Sequence, residues 1–119
     1  MIAGVGVDIC SVDRMAAMIT RHPGIVARLF TPAESEGRTT EQLAARFAAK
    51  EALAKALGAP AGLGWHEVKV MTGDDGAPTM VLSGGVAARA AQLRIGRVHL
   101  SMSHDGGLAT AFVVCEEHQ

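Results

Sequence analysis

The chain opens on an alternation. From Ile2 to Ile9, Ala3, Val5, Val7 and Ile9 fall on one face of an extended segment and Ile2, Gly4, Gly6 and Asp8 on the other, which predicts a first strand. Two glycines below a terminal acid leave room beside the carboxylate, as expected where a ligand or another backbone comes close. Ser11 is placed to cap a helix running to about Arg21, and Pro23-Gly24 ends it. A short helix is expected over Ile25 to Phe30. Thr31-Pro32-Ala33-Glu34 then carries the cap, the first-turn proline and the third-position glutamate of a capping box that opens another. After a polar break from Gly37 to Thr40, Thr39 or Thr40 caps the longest helix, which runs to Leu57 and stops at Gly58-Ala59-Pro60.

The second half reads as strands from Trp65 to Thr72 and from Thr79 to Ser83 around the turn Gly73-Asp74-Asp75-Gly76. A helix from about Val86 to Arg94 follows, then strands from Arg97 to Ser103 and from Leu108 to Cys115 around the loop His104-Asp105-Gly106-Gly107. One strand, several helices, a strand pair, a helix and a second strand pair make an α+β order. It predicts helices packed on a mainly antiparallel sheet, not a doubly wound parallel one. With no internal repeat, low-complexity segment or linker in 119 residues, residues 1–119 are expected to form a single domain.

Composition adds limits. Hydrophobic residues are 49% and charged residues 19%, far from the mixture that stays disordered. Aromatic residues are only 3%, so the core must be largely aliphatic and alanine-rich. A chain of this size buries roughly two thirds of its unfolded surface, which makes self-association a natural source of further burial. A net charge of −1 gives no basis for a generally basic nucleic-acid binder or a polybasic membrane anchor. No signal-like segment and no apolar run approaching ~18 residues is present, so a cytoplasmic location is expected. Cys10 and Cys115 each lie in or beside apolar segments and read as buried thiols, not a disulfide or a metal site.

Three clusters carry candidate chemistry. Gly4-Val5-Gly6-Val7-Asp8 ends a strand in an acid, which either caps the next helix or holds a ligand. On the long helix, Leu43, Phe47, Ala54 and Leu57 form a core stripe with Glu51 at its border, and Ala44, Ala48, Glu51 and Lys55 form a neighbouring ridge. The small alanines would let a bulky anionic substrate approach Glu51 and Lys55; the plainer alternative is an exposed ion pair of about 0.3–0.5 kcal/mol. Lys50 points near the middle of the apolar stripe, so its charge must find a partner or snorkel. In the third cluster, Ser101-Met102-Ser103-His104-Asp105-Gly106-Gly107, a strand ends in polar side chains, read either as a solvated turn or as His104 and Ser103 meeting a phosphate or a base.

Taken together, Gly-Val-Gly-Val-Asp, Arg46-Phe47-Ala48-Ala49-Lys50-Glu51-Ala52-Leu53-Ala54-Lys55-Ala56-Leu57-Gly58 and Leu100-Ser101-Met102-Ser103-His104-Asp105 resemble the holo-acyl-carrier-protein synthase family of 4′-phosphopantetheinyl transferases. Leu29 to Glu34, Trp65, Gly76-Ala77-Pro78 and Leu82-Ser83-Gly84 extend the likeness over nearly the whole chain. The resemblance implies Mg²⁺-dependent transfer of 4′-phosphopantetheine from coenzyme A to a serine of apo-acyl carrier protein, within fatty acid biosynthesis, releasing adenosine 3′,5′-bisphosphate. It implies that Asp8 and Glu51 ligate Mg²⁺ and that Lys55 stabilises the phosphoryl charge. Arg46 and His104 would contact the nucleotide phosphates, with Gly58, Pro78, Ser83, Gly84, Ser103 and Asp105 completing the coenzyme site. Magnesium typically takes one or two protein carboxylates plus phosphates and water, so two acids suffice.

Larger relatives in the superfamily have an acid two residues after the first aspartate, where this chain has Cys10. Many synthases have one three residues after it, where this chain has Ser11. The first departure makes a metal-bound water, oriented by Asp8 or Glu51, the expected base in place of a dedicated side chain; the serine fits helix capping and bears on metal affinity. Arg14, Met18 and Arg21, extended by Arg28, form a mixed basic and apolar stripe, and the resemblance makes it the surface that docks the acidic carrier protein. It also implies a homotrimer with active sites at subunit boundaries. Two other readings of the same residues are a metal-dependent nucleotide phosphohydrolase using Asp8, Glu51 and His104, and a non-catalytic module that binds carrier proteins through the arginine stripe.

Overall fold

The computed structural model describes residues 1–58 and 64–118. The elements are β1 (Ile2–Ser11), α1 (Val12–Arg21), α2 (Ile25–Leu29), α3 (Pro32–Ser35) and α4 (Thr40–Ala56), a 3₁₀ turn at Trp65–Glu67, then β2 (Val68–Thr72), β3 (Pro78–Leu82), α5 (Gly84–Gln92), β4 (Ile95–Asp105) and β5 (Leu108–Glu117). Every strand pair is antiparallel. One sheet has the order β1-β5-β4, and β2 and β3 form a separate hairpin. The chain thus forms the α+β arrangement on an antiparallel sheet that its element order predicts.

Local signals set most boundaries. Ser11 caps α1 by accepting the Arg14 amide at 3.2 Å. Thr31/Glu34 and Thr39/Gln42 form reciprocal capping boxes that open α3 and α4. Elsewhere the boundaries depart from expectation. The segment expected as a strand from Trp65 begins as a 3₁₀ turn. The last helix starts at Gly84 and not Val86, because the Glu67 carboxylate, distant in sequence, accepts the Gly85 amide at 2.9 Å. His104 and Asp105 belong to β4, leaving Gly106 and Gly107, both at positive φ, as the turn. Of the expected stop to α4, Gly58 follows the helix at φ 56°, while Ala59 and Pro60 lie outside the described residues.

α4 lies across the sheet. Ala48, Ala49, Ala52 and Leu53 pack against Ala111, Val113 and Cys115 of β5 in an alanine-rich core, as so few aromatic residues require. β1 divides as its alternation predicts, but the faces are used in an unexpected sense. The glycine and aspartate face is pressed onto α4, while Val5, Val7 and Ile9 point outward at 53%, 54% and 63% exposure. The space above the glycines is filled by helix backbone. A Cβ at Gly6 would lie 1.9 Å from the Ala52 carbonyl oxygen, and one at Gly4 would lie 2.1 Å from that of Ala56.

The alanine ridge also departs from its reading. Ala44 and Ala48 are fully buried, so they seat the helix and leave no approach for a substrate there. Lys50, at 2% exposure, finds its partner: Nζ donates to Glu34 Oε1 at 2.9 Å and to the Leu29 and Trp65 carbonyls at 2.8 and 2.9 Å.

Candidate active site

The close approach of β1 to α4 brings acid and base together. Asp8 leaves the buried edge of β1 two positions beyond Gly6, and Glu51 and Lys55 leave α4 on the side of the same contact. Lys55 Nζ donates to Asp8 Oδ1 at 2.9 Å and to the Val7 carbonyl at 3.0 Å while remaining 55% exposed, free enough to reach a ligand. Burial, and after it the charge of Asp8, pushes the Glu51 carboxyl above its ordinary value, against the opposing pull of Lys55. Asp8 and Glu51 line one cavity of about 540 Å³.

Hard carboxylate oxygens whose charges repel across a cavity suit a divalent cation such as Mg²⁺. Among the described residues no cluster of three or more His, Cys, Asp or Glu side chains is placed to hold a metal. Two carboxylates therefore fit an ion whose remaining ligands come from phosphate and water.

The same cavity continues along α1. Arg14, Met18 and Arg21 line it, with Phe47 of α4. Arg28, on α2, does not. Cys10 lines it too and is only half-buried, not wholly so as expected. Burial and the Asp8 carboxylate push its thiol up, which makes it a poor base.

The remaining expected residues lie elsewhere. Arg46 and Pro78 line a second cavity, of about 390 Å³, against β4, together with Arg38 and the exposed Ser101. Arg46 is 5% exposed, and burial and the charge of Arg38 lower the pKa of its guanidinium. It donates to Thr72 Oγ1 at 3.0 Å, but Nε of both arginines is buried without a hydrogen-bond partner. Two guanidinium groups, each with a buried and unpaired Nε donor, form a seat for an anion. Arg38 was not singled out by the sequence, although Arg38, Gln42 and Arg46 recur at a spacing of four.

Ser103, His104 and Asp105 frame a shallow hollow beside Ile9 and Leu108, with His104 Nδ1 3.1 Å from Glu41 Oε1. Ser83 and Gly84 sit at the start of α5, where Glu67 occupies the space a Gly84 side chain would need. Gly58 faces Arg89, whose Nε donates to the Leu57 carbonyl at 3.1 Å. One chain therefore gathers Asp8, Glu51, Lys55, Arg14, Met18 and Arg21, and leaves the expected nucleotide contacts apart from them. The reason is geometric. Arg46 and Glu51 project roughly 140° apart around α4, and their cavities lie towards β4 and β1, the two edges of the sheet.

A small sheet crossed by an alanine-rich helix, with paired carboxylates beside a lysine and a separate arginine-lined anion seat, has the makings of a phosphoryl-group transferase. Residues 4–113 match the model of the 4′-phosphopantetheinyl transferase superfamily, and the chain belongs to that family. It is 56% identical over 115 residues to the holo-[acyl-carrier-protein] synthase of Frankia alni, covering 97% of this chain and 98% of that one. The crystal structure of holo-[acyl-carrier-protein] synthase from Neisseria meningitidis superposes with a TM-score of 0.89 at 32% identity, covering 98% of this chain and all of the other. The Helicobacter pylori synthase in complex with coenzyme A superposes at 0.85 with 30% identity, covering 94% of this chain and 99% of that one.

The joint of β1 and α4 gives a first prediction. Gly6→Ala places a methyl group against helix backbone, which cannot swing aside as a side chain would. Overpacking costs about 1–3 kcal/mol, and displacing α4 also separates Glu51 from Asp8. Thermal melts should show the loss of stability, and turnover should fall further than the unfolded fraction explains. A fully stable, active variant would contradict the contact.

Proposed function

We propose that this chain is a holo-acyl-carrier-protein synthase that moves 4′-phosphopantetheine from coenzyme A to a serine of an apo-acyl carrier protein. The observation that carries the reading is the meeting of Asp8, held by Lys55, and Glu51 in a cavity whose other wall is Arg14, Met18 and Arg21. Acid, base and a basic docking stripe share one space, as transfer to an acidic protein requires. A water-using phosphohydrolase has no need of the stripe, and a pure binding module has no need of the half-buried carboxylate pair.

Asp8 and Glu51 would hold Mg²⁺, which when bound would neutralise the pyrophosphate and polarise the phosphorus under attack. Lys55 turns from Asp8 to the phosphates and stabilises the charge that gathers on them. The serine oxygen forms a bond to the β-phosphorus while the bond from that phosphorus to the bridging oxygen breaks. Adenosine 3′,5′-bisphosphate leaves with that oxygen, and the serine proton passes to water. The suppressed acidity of Cys10 removes it as the acceptor of that proton and favours a water oriented by Asp8 or Glu51. Arg14, Met18 and Arg21 receive the acidic face of the carrier protein, with Arg28 at its margin.

Arg46, joined by Arg38, takes the phosphorylated ribose of coenzyme A, with Pro78, Ser103, His104 and Asp105 nearby and Ser83, Gly84 and Gly58 farther round. These residues complete the centre of a neighbouring subunit, so residues 1–119 act as one domain within a homotrimer. Two features favour that assembly: the separation of the arginines from the carboxylates, and the exposed Val5, Val7, Ile9, Leu108 and Phe112 on the outer face of the sheet. Among the described residues no helix is long and apolar enough to cross a membrane; the proposed setting of the reaction is the cytoplasm.

Incubation with coenzyme A, Mg²⁺ and apo-carrier, followed by mass spectrometry of the carrier, should show the gain of one phosphopantetheine. No gain with authentic carriers rejects the activity. Glu51→Gln and Arg46→Ala chains, each inactive alone, should recover activity when unfolded and refolded together, because mixed assemblies contain centres built from one intact half of each. Failure to complement would place the whole site within one chain.

A further inference from the structure

We infer that Trp65 is a positioning residue for acceptor binding: it braces Phe47, the aromatic side chain in the cavity that receives the carrier protein. The inference rests on the acceptor reading of that cavity. Phe47 is half-buried, with one part lining the cavity beside Met18 and another packed against Trp65, ring centroids 5.5 Å apart and tilted by 38°. An aromatic pair at this spacing holds its members in register better than aliphatic neighbours do.

Trp65 is itself held from behind. Its carbonyl accepts from Lys50 Nζ at 2.9 Å, and that ammonium spends its other donors on Glu34 and the Leu29 carbonyl while lying 5.0 Å from the Phe30 ring centre. Leu29, Phe30 and Leu43 close the cluster around Phe47, Trp65 and Met18. The acceptor-facing wall is therefore the front of a cluster whose back is fixed by a buried charge, and Trp65 is the link between the two. Neither Trp65 nor Lys50 lines the cavity, so an effect on the acceptor reaches it through Phe47.

Trp65 is the only tryptophan in the chain, so its fluorescence reports this link directly. Titration with apo-carrier should change its emission, and titration with coenzyme A alone should not. Trp65→Leu should raise the KM for the carrier roughly five- to tenfold, the scale of one aromatic contact, and move the KM for coenzyme A by less than about twofold. Trp65→Phe, which keeps a ring against Phe47, should restore most of the loss. In a Phe47→Ala background Trp65→Leu should add nothing, since the path through Phe47 is already gone.

Equal rises in both KM values, additive losses in the double variant, or emission blind to the carrier would overturn the brace. If Trp65→Leu does not fold, Trp65→Phe and the fluorescence of the unaltered protein still decide it. If the unaltered chain transfers nothing, the proposed activity fails, and carrier titration followed by fluorescence separately tests the brace.

Discussion

Glu51→Gln is expected to lower transfer by about 10³, equivalent to several kcal/mol of lost charge stabilisation, while melting no earlier than the unaltered protein in the presence of a chelator. The two halves of this result have one cause. Burial and Asp8 raise the Glu51 carboxyl above its ordinary pKa, so the folded state binds that proton more tightly than the unfolded chain does. The resulting stability is complete below the ordinary carboxylate range and is lost as pH rises through the raised value. Above that value the chain therefore holds an ionised Glu51 at a cost, and the near-isosteric amide removes it.

Mg²⁺ should raise the melting temperature of the unaltered protein through binding to the folded state, and raise that of the variant much less. Undiminished turnover would remove Glu51 from the metal site. A lower melting temperature in chelator would make it a structural residue. Most carboxylates whose removal abolishes activity also contribute packing or ion pairs; here the half-buried acid beside another acid separates function from stability.

The sequence made the elements of this fold readable and left their mutual placement open. The alternation in β1 separated Val5, Val7 and Ile9 from Gly4, Gly6 and Asp8, because a strand's period depends on local geometry alone. Which face would be buried depended on the arrival of α4, more than forty positions later, and a glycine face buries well only when backbone lies against it. The wheel of α4 put Lys50 among apolar residues and required that its charge find a partner or snorkel. That the partner was Glu34, already assigned to a capping box, could not be read, because one carboxylate has oxygens enough for both tasks. The start of α5 was missed for a similar reason: its capping carboxylate, Glu67, is supplied by the other side of the β2-β3 hairpin.

The chemistry divides in the same way. Asp8, Glu51 and Lys55 stood out through family motifs, and the stripe of Arg14, Met18 and Arg21 through helical spacing; β1, α1 and α4 then set all but Lys55, which bonds to Asp8, around one cavity. Arg46 and His104 were legible as residues but not as a location, since a motif fixes spacing along the chain and says nothing of which cavity each side chain will line. Arg38 was hidden because it precedes the first turn of α4 and reads as part of a polar break. Its spare donor became visible only when the hairpin and β4 closed around it.

The largest loss of stability is expected from Lys50→Met, which keeps the length of the side chain and deletes its charge. Lys50 and Glu34 are 1% and 0% exposed at their side chains, so water cannot replace either partner. Removing one member of such a pair costs about 3–5 kcal/mol, a large part of the roughly 5–15 kcal/mol that holds a domain folded. Three acceptors lose their donor at once, and they lie on α3, at the end of α2 and on the turn before β2. Glu34 would keep the Thr31 and Val70 amides, which accounts for a weakened but not shapeless chain.

Adding Glu34→Gln should recover only part of the loss. The amide has one oxygen for the two backbone donors that Glu34 now satisfies with separate oxygens, and its NH₂ group must face one of them. Urea denaturation of the single and double variants measures both steps. The single variant should show a much lower midpoint at nearly unchanged slope, and the double variant a midpoint between the two. A Lys50→Met chain as stable as the original would mean that the buried pair contributes little beyond its own desolvation. The cluster behind Phe47 would then have to be held by apolar packing alone.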